Sequence, residues 1–364
     1  MKDIRLAVIG GGHLGKIHIR LAQQLAGVKF VGLIEPHDET RCQLADEHET
    51  LGCAHHEDLI DRIDAAIIAA PTKFHHEVAL DLMEAGKHVL IEKPITSTLS
   101  QADELIAAAE ANNVVAAVGH VERFNPALSA AAAYVKSPKY IEATRTSGFT
   151  FRSTDVGVVL DLMIHDLDCI LAMVDSPLID VQAMGMTLFG PHEDMVQARL
   201  KFANGCIANV SASRTSFTAQ RVTNVYADGA YAQIDFGNRT TKIVAPGEQL
   251  ARRGIDIHQL SEKQKQHIRE QLFNDPSLLP VTDIAAPQCN PLLDEQQDFC
   301  DAIRFGRSPR VTARAGREAL WAAYRILQSV ERHQWDGTQL GRTGPQALPS
   351  HIPVTTQQPL RKAA

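Results

Sequence analysis

The feature that most constrains this chain is a glycine-rich turn close to its beginning. Residues 4–10 form a short apolar run with strand character, and Gly10, Gly12 and Gly15 then follow the spacing G-x-G-x-x-G, with a helical pattern up to residue 25. The three glycines permit a tight bend, close approach of the backbone to a pyrophosphate, and close packing of helix on strand. This context predicts dinucleotide binding at the helix N-terminus, although a glycine turn between strand and helix does not by itself require a ligand.

The next apolar run, residues 28–34, bears on the choice of cofactor. It ends at Glu35, which lies twenty residues after Gly15. A carboxylate at this place accepts hydrogen bonds from an adenosine ribose and repels a 2′-phosphate, so NAD is predicted rather than NADP. NADP remains the alternative, because Arg41 lies close by in the sequence and an arginine there can accept that phosphate.

Composition excludes several classes of protein. The chain has 364 residues, enough for two domains, and its formal net charge of −7 provides no basic surface for nucleic acid. Six cysteines occur without a C-x-x-C pair, so neither a zinc site nor a disulfide framework is expected. No apolar run approaches eighteen residues, and the first strand begins almost at Met1. We therefore expect a cytoplasmic protein with no membrane segment.

Strands and helices alternate along the first third of the chain. Gly86 is the expected C-cap of one helix and Ser100 the expected N-cap of the next. The pattern predicts helices over residues 39–49, 75–85 and 100–112, and strands over 64–70, 88–92 and 114–118. This alternation predicts an α/β Rossmann domain, with a doubly wound parallel sheet, over residues 1–125.

The end of the strand at 88–92 is the first candidate for chemistry. It presents Glu92 and Lys93 side by side before Pro94 stops the strand. Ligands of an open parallel sheet bind beyond the carboxyl ends of its strands, so Lys93 can polarise or orient a substrate oxygen there. The alternative is a charged pair on a solvated turn.

From about residue 140 the pattern changes to that of an α+β domain with an antiparallel sheet, assigned to residues 126–335. Asn204-Gly205 and Asp228-Gly229 are expected hairpin turns. Strands are predicted over 140–147, 180–188, 195–202, 206–213, 221–227 and 231–236, and helices over 292–305 and 313–332. Residues 246–288 are polar and irregular and are interpreted as an insertion. Residues 336–364 are expected to be a disordered tail or an arm over a neighbouring subunit.

The second candidate for chemistry lies in the run 157–168. If this run is helical, Asp161, His165 and Asp168 share one face at positions i, i+4 and i+7. A histidine beside a carboxylate is suited to act as a general base toward an alcohol proton. Two alternatives remain open: a metal site built from the same aspartate and histidine side chains, and a polar helix face without a function.

Taken in order, these motifs resemble the glucose–fructose oxidoreductase, inositol dehydrogenase and rhizopine catabolism (Gfo/Idh/MocA) family. They are the glycine turn, residues 71–75, residues 86–94 and Asp161-x-x-x-His165. The resemblance covers nearly the whole chain except residues 245–288 and the tail. It implies a second domain with an open, mainly antiparallel sheet whose exposed face packs on another subunit, and hence a homodimer or homotetramer.

The resemblance also implies roles for individual residues, and no metal. It places the cofactor against Gly10, Gly12, His13, Leu14 and Gly15 at the pyrophosphate, Glu35 at the adenosine ribose, Pro71, Thr72 and His75 on the path to the nicotinamide, and Glu92 and Lys93 beside it. The implied catalytic residues are Lys93, Asp161 and His165. His55, His56 and His76 are assigned to the surface.

The segment 119–126 bears on the identity of the substrate. It is similar to the segment found in family members that oxidise UDP-N-acetylglucosamine at the 3-hydroxyl. A diphosphate needs cations, and Arg123 can bind phosphate in bidentate fashion. The substrate set is therefore Lys93, Arg123, Asn125, Arg152, Asp161 and His165, with Arg214 as a weaker candidate. The alternative for Arg123 is an ion pair with an acid at the joint between the domains.

Three other functions remain as alternatives. An inositol- or glucose-type dehydrogenase of the same family would need no phosphate-binding arginine. A binding protein that kept only the cofactor fold would be expected to have lost Lys93 or His165, and both are present. An NAD-dependent glycosidase would release product without net formation of NADH.

Overall fold

The structure is a computed structural model that describes residues 2–150, 156–189 and 191–335. Arg152 and the segment 336–364 lie outside the described residues, so their predicted roles stay predictions. No helix among the described residues combines the length and the apolar character that crossing a bilayer requires.

The first domain is built on a parallel sheet of six strands. These are β1 (Ile4–Ile9), β2 (Val28–Ile34), β3 (Leu51–Cys53), β4 (Ala65–Ile68), β5 (His88–Glu92) and β6 (Ala116–Gly119), in the spatial order β3-β2-β1-β4-β5-β6. The sheet carries helices α1 (His13–Ala22), α2 (Asp38–Glu47), α3 (His75–Glu84) and α4 (Leu99–Ala111). The predicted Rossmann fold is confirmed, and β1, β4, β5 and β6 end along one carboxyl edge.

Of the two helix caps predicted in this domain, one is confirmed and the other is wrong. Gly86 follows α3 with φ +72°, as predicted for a residue that closes a helix. The prediction for Ser100 is wrong: Thr98 is the N-cap of α4, and its hydroxyl accepts the Gln101 N–H at 3.3 Å. Serine and threonine are both favoured at the N-cap. Only the residue at which the helix actually begins shows which of the two takes this position.

The second domain is built on an open sheet of eight strands. It follows α5 (Pro126–Ala131) and comprises β7 (Pro138–Thr146), β8 (Leu178–Met186), β9 (Met195–Phe202), β10 (Ile207–Ser213), β11 (Gln220–Ala227), β12 (Ala230–Asp235), β13 (Thr240–Val244) and β14 (Val281–Ile284). Their order is β14-β13-β12-β11-β7-β10-β9-β8, and every pair is antiparallel except β7 with β10. The mainly antiparallel sheet is confirmed. Gly205 and Gly229 form the predicted hairpin turns with φ of +87° and +82°.

One face of this sheet is covered by α6 (Ile164–Val174), which is preceded by a π-helical turn, Val159–Met163. The interpretation of 246–288 as irregular is wrong, since this segment contains α7 (Glu248–Arg253), α8 (Glu262–Gln271) and β14. Helix α8 buries none of its residues, so it has no apolar period to detect. The Ser261-x-x-Gln264 capping box was the available signal.

The chain ends with two helices that return to the first domain, α9 (Pro291–Phe305) and α10 (Ala313–Arg332). Phe299 of α9 is buried in a cluster with Leu6 of β1. Gly316 of α10 lies so close to Val118 of β6 that a Cβ added there would come within 2.6 Å of the valine side chain. The first domain thus depends for its core on the last fifty residues described.

This close approach of α10 and β6 leads to a stability prediction. Gly316→Val is expected to lower the free energy of unfolding by about 1–3 kcal/mol, because the added side chain overpacks a buried contact. Gln328→Val on the exposed side of the same helix is the control and is expected to change it by less than about 0.5 kcal/mol. Denaturant unfolding followed by circular dichroism provides the measurement, and equal midpoints for the two variants would contradict the close packing.

Candidate active site between the two domains

The glycine turn after β1 forms the first wall of the site. Gly10 has φ +105°, and a Cβ at Gly15 would stand 1.9 Å from the Gly10 carbonyl oxygen, so neither position tolerates a side chain. At Gly12, by contrast, a Cβ would meet nothing within 4 Å, and no side chain caps α1. Gly12, His13 and Leu14 are exposed there. Open space beside uncapped N–H groups suits a pyrophosphate.

Glu35, at the end of β2, is held firmly beside this turn. One carboxylate oxygen accepts the Gly11 N–H at 2.7 Å and the other accepts the His37 N–H at 2.9 Å. Arg41 lies nearby, but its guanidinium donates to the Glu35 carbonyl oxygen at 2.9 Å and to the carboxylate of Asp38. The arginine that kept NADP open is thus engaged with protein groups, which favours NAD.

The residues predicted to line the path to the nicotinamide follow β4 and differ in their exposure. Pro71 is exposed and Thr72 is partly exposed at the carboxyl edge. His75, in contrast, is buried, and its ring lies between the carbonyl oxygen of Ala70 at 2.8 Å and that of Pro94 at 3.0 Å. Through its contact with Pro94, His75 therefore holds the segment that follows β5 in place and does not face a cofactor path.

Glu92 belongs to a buried chain of hydrogen bonds that the sequence did not reveal. His18, fully buried on α1, contacts Glu92 Oε1 through Nε2 at 2.8 Å and the Gln296 amide of α9 through Nδ1 at 2.8 Å. The second oxygen of Glu92 accepts the Lys93 N–H at 3.1 Å. Burial raises the pKa of Glu92, but the His18 hydrogen bond and the charges of His18 and Lys93 outweigh burial and leave the pKa below its usual range. Both oxygens of Glu92 have protein partners, as those of Glu35 do, and its contact with the cofactor stays a prediction.

Lys93 reaches from the first domain to the second. Its ammonium donates to the main-chain carbonyl oxygen of Asp161 at 2.7 Å and contacts Asp161 Oδ1 at 3.4 Å. Its side chain is 15 % exposed. Asp161 lies in the π-helical turn, a feature found frequently at functional sites. The lysine predicted at the sheet edge and the aspartate predicted in the second domain therefore meet.

His165 begins α6 close to this contact. The ring is half-buried; Nδ1 is buried without a partner, whereas Nε2 is neither buried nor hydrogen-bonded in the described part of the chain. Burial, together with the positive charges of Lys93 and Arg145, places the pKa of His165 well below its usual value. At neutral pH the imidazole is therefore uncharged, and its accessible Nε2 can accept a proton.

The predicted pairing of His165 with a carboxylate is wrong, since the acids on its helix have other partners. Asp161 contacts Lys93, and Asp168 accepts Arg123 Nη1 at 3.3 Å. The alternative of a metal at these residues gains no support either. In the described ranges the one group of acids and histidines with ligand spacing is His56, Glu57 and Asp81, a largely exposed set on the first domain.

Two of the remaining substrate candidates, Asn125 and Arg123, link the domains, and the third, Arg214, pairs within the second domain. Asn125 is buried and caps α5, with its amide donating to Glu122 at 2.9 Å and to the Phe236 carbonyl oxygen at 3.1 Å. It therefore leaves the substrate set. Arg123 makes the interdomain ion pair foreseen as the alternative, and Arg214 pairs with Asp194 at 2.7 Å.

Three buried residues near the site received no role of their own from the sequence: His18, Glu295 and His120, the last of them within the segment 119–126. His120 is fully buried directly after β6 and has no partner for either ring nitrogen. Burial and the charges of Glu92 and Asp168 raise the pKa of Glu295 well above its usual value. Only the direct sequence Gly119-His120, at a strand end, could have drawn attention to one of them.

The glycine turn, with open space beside uncapped N–H groups, and Glu35 at the end of the next strand are the features of a dinucleotide-binding Rossmann domain. The sequence comparisons agree: residues 4–120 match the model of an oxidoreductase family with an NAD-binding Rossmann fold, and residues 99–233 match the GFO/IDH/MocA C-terminal domain. The chain belongs to the Gfo/Idh/MocA family of oxidoreductases, and several of its relatives are named dehydrogenases.

Individual relatives make the likeness more specific. The chain is 33% identical over 339 residues to UDP-N-acetylglucosamine 3-dehydrogenase of Acidithiobacillus ferrooxidans, covering 91% of this chain and 98% of the relative. A crystal structure of that enzyme matches with a TM-score of 0.79 at 31% identity, over 91% of this chain and 99% of that one. The scyllo-inositol 2-dehydrogenase (NAD(+)) of Bacillus subtilis is 30% identical over 233 residues, 59% of this chain and 68% of the relative.

The electrostatic coupling of Lys93 and His165 leads to a prediction. In Lys93→Met the pKa of His165 is expected to rise toward 6.5, since the positive charge that disfavours the imidazolium is removed while burial remains. A pH titration of the ¹³Cε1 histidine resonances measures it. Lys73→Met, at an exposed position of the same sheet edge, is the control and should leave the pKa unchanged; the same result for Lys93→Met would refute the coupling.

Proposed function

We propose that this enzyme oxidises a secondary hydroxyl of a nucleotide sugar, UDP-N-acetylglucosamine at its 3-hydroxyl, to a 3-keto sugar with NAD as the hydride acceptor. The observation that carries the dehydrogenase chemistry is the meeting of Lys93 with Asp161 beside the accessible Nε2 of His165. The choice of sugar rests on the likeness to UDP-N-acetylglucosamine 3-dehydrogenase over nearly the full length of both chains. The segment 119–126 supports the same choice.

The residues of the chain divide the chemistry between them. The uncharged His165 accepts the hydroxyl proton at Nε2. The Lys93 ammonium stabilises the negative charge that develops on the substrate oxygen, and Asp161 holds that ammonium in place. The glycine turn and Glu35 would hold NAD, which would supply the hydride acceptor.

The diphosphate of the substrate requires a cation at the mouth of the site. Arg123 is engaged with Asp168 through Nη1 only, and its side chain remains 18 % exposed. The other nitrogen atoms of a planar guanidinium can donate to phosphate oxygens in bidentate fashion. Arg123 is therefore the cation proposed for the diphosphate, with Arg152 as a second.

The open sheet of the second domain is the proposed subunit interface of a cytoplasmic homodimer or homotetramer. Tyr226 is 42% exposed on β11 and stacks with Tyr140 and Tyr231, with ring centroids 5.6 Å and 4.7 Å apart. Tyrosine is enriched in subunit interfaces, where its ring is buried and its hydroxyl is hydrogen-bonded. This aromatic cluster supports an interface on that face.

An inositol dehydrogenase is the second candidate, supported by the likeness to the scyllo-inositol enzyme over part of the chain. The proposal predicts that UDP-N-acetylglucosamine reduces NAD, measured as NADH absorbance, and that scyllo-inositol, myo-inositol and glucose do so at least about 100-fold less efficiently. With substrate deuterated at C3 the deuterium should appear in NADH, whereas deuterium at C4 should stay in the sugar. Turnover of only a free polyol would move the assignment to the inositol type, and bond cleavage without net NADH would indicate a glycosidase.

The proposed roles of Lys93 and His165 lead to a further prediction. Lys93→Ala and His165→Ala are each expected to lower kcat by about 10²–10⁴-fold, the range that general acid–base groups contribute, while NAD still binds. Stopped-flow assays and fluorescence titration of NADH binding separate the two effects. Lys73→Ala serves as control for a lysine at the same edge, and a rate close to wild type would remove the residue from the mechanism.

A further inference from the structure

Unpartnered polar atoms gather behind the site. Among the described residues, eight buried side-chain nitrogen and oxygen atoms lack a hydrogen-bond partner, and all but Gln101 Oε1 belong to five residues around the domain junction: His120, His165, Asp168, Glu295 and Gln296. Each buried polar atom without a partner costs free energy, so such a cluster requires an explanation such as a catalytic task or bound water.

Three of these residues, His165, His120 and Asp168, are neighbours at the domain junction. The rings of His165 and His120 meet edge to face with centroids 6.4 Å apart, and the unpartnered nitrogen of His165 is the buried Nδ1. Asp168 follows His165 by three residues on α6, and its Oδ2 has no partner. Arg123 links two of them, since its N–H donates to the His120 carbonyl oxygen at 3.0 Å and its Nη1 to Asp168 Oδ1 at 3.3 Å.

No direct hydrogen bond joins the two neighbouring rings. Each ring nevertheless has at least one buried nitrogen without a partner. A single water that bridges such groups satisfies both at little cost in free energy. Imidazole can accept a proton at one nitrogen and release one from the other, so a histidine between a base and a carboxylate can pass a proton on.

We propose that His120 relays the proton of alcohol oxidation from His165 to Asp168 through bridging water. This inference rests on the proposed function, with His165 as the base. The substrate O–H bond breaks and its proton binds Nε2 of His165, as the carbinol carbon gives up its hydride to NAD. The proton on Nδ1 of His165 then passes to one nitrogen of His120, and the proton on the other nitrogen passes to Asp168 Oδ2. Because Asp168 Oδ2 is buried, the proton reaches solvent from there through further water beside Arg123, whose side chain is 18 % exposed.

The charges around His120 are suited to this task. Asp168 and Glu92 favour its protonated form, Lys93 and Arg123 oppose it, and burial keeps the pKa below its usual value, so the ring is uncharged before the proton arrives. The relay explains why these imidazole nitrogens face the interior, where bound substrate and cofactor would otherwise block the escape of the proton.

The test compares hydride transfer with proton release in one turnover of His120→Phe. Stopped-flow absorbance follows NADH, and a pH indicator in weak buffer follows the proton, with UDP-N-acetylglucosamine or whichever alcohol reduces NAD. In the wild type both signals should rise at one rate. In the variant the NADH burst should stay within about threefold of wild type while proton release slows by about tenfold or more; proton release in step with NADH would overturn the relay.

Two controls keep this result interpretable. His88→Phe replaces a histidine at the amino end of β5, away from the carboxyl edge, and should keep the two signals together. A high-resolution crystal structure of the wild type needs no substrate and should show ordered water bonded to a ring nitrogen of His120. A dry contact there would overturn the relay alone, whereas failure of every alcohol to reduce NAD would refute the proposed function and the relay with it.

Discussion

Arg145 of β7 lies buried between two carboxylates, and the relation of the two domains depends on it. Its Nε and Nη2 donate to Asp166 of α6 at 2.9 Å each, and its Nη1 donates to Glu122, just after β6, at 2.8 Å. Burial alone lowers the pKa of an arginine, but the two carboxylates outweigh it and raise the pKa of Arg145 further. Removal of one partner from such a buried group typically costs about 3–5 kcal/mol, because a charge is left uncompensated.

This ion triad also lies next to two histidines of the candidate site. Asp166 is the neighbour of His165, and Glu122 lies two residues after His120, so the charged contacts fix where both imidazoles stand. The contact between Lys93 and Asp161 closes the same junction from the other side. Burial, together with the charges of Lys93 and Arg145, keeps the pKa of His165 well below its usual value, so the cations that join the domains also favour an uncharged imidazole in the proposed base.

Local patterns carried the prediction of the fold. Strand and helix periods, glycine turns and the hairpin signals at Gly205 and Gly229 each depend on neighbours in sequence, and the structure agrees with them. The prediction failed at α8 and β14, because an element that buries little surface has little apolar period. It also failed at Ser100, where a capping residue was recognised but placed two residues too late.

The sequence by itself determined a two-domain NAD-binding oxidoreductase and the presence of Lys93 at the carboxyl edge, since both follow from spacing along single elements. Only the tertiary structure decided which charges meet. The i, i+4 spacing correctly put Asp161 and His165 in one stretch of helix. The aspartates, however, are paired with residues of the first domain, Asp161 with Lys93 and Asp168 with Arg123. Glu92 and Asn125 were likewise taken up by buried partners from distant segments. A side chain's partner depends on what the fold brings opposite it, which the spacing within one element does not contain.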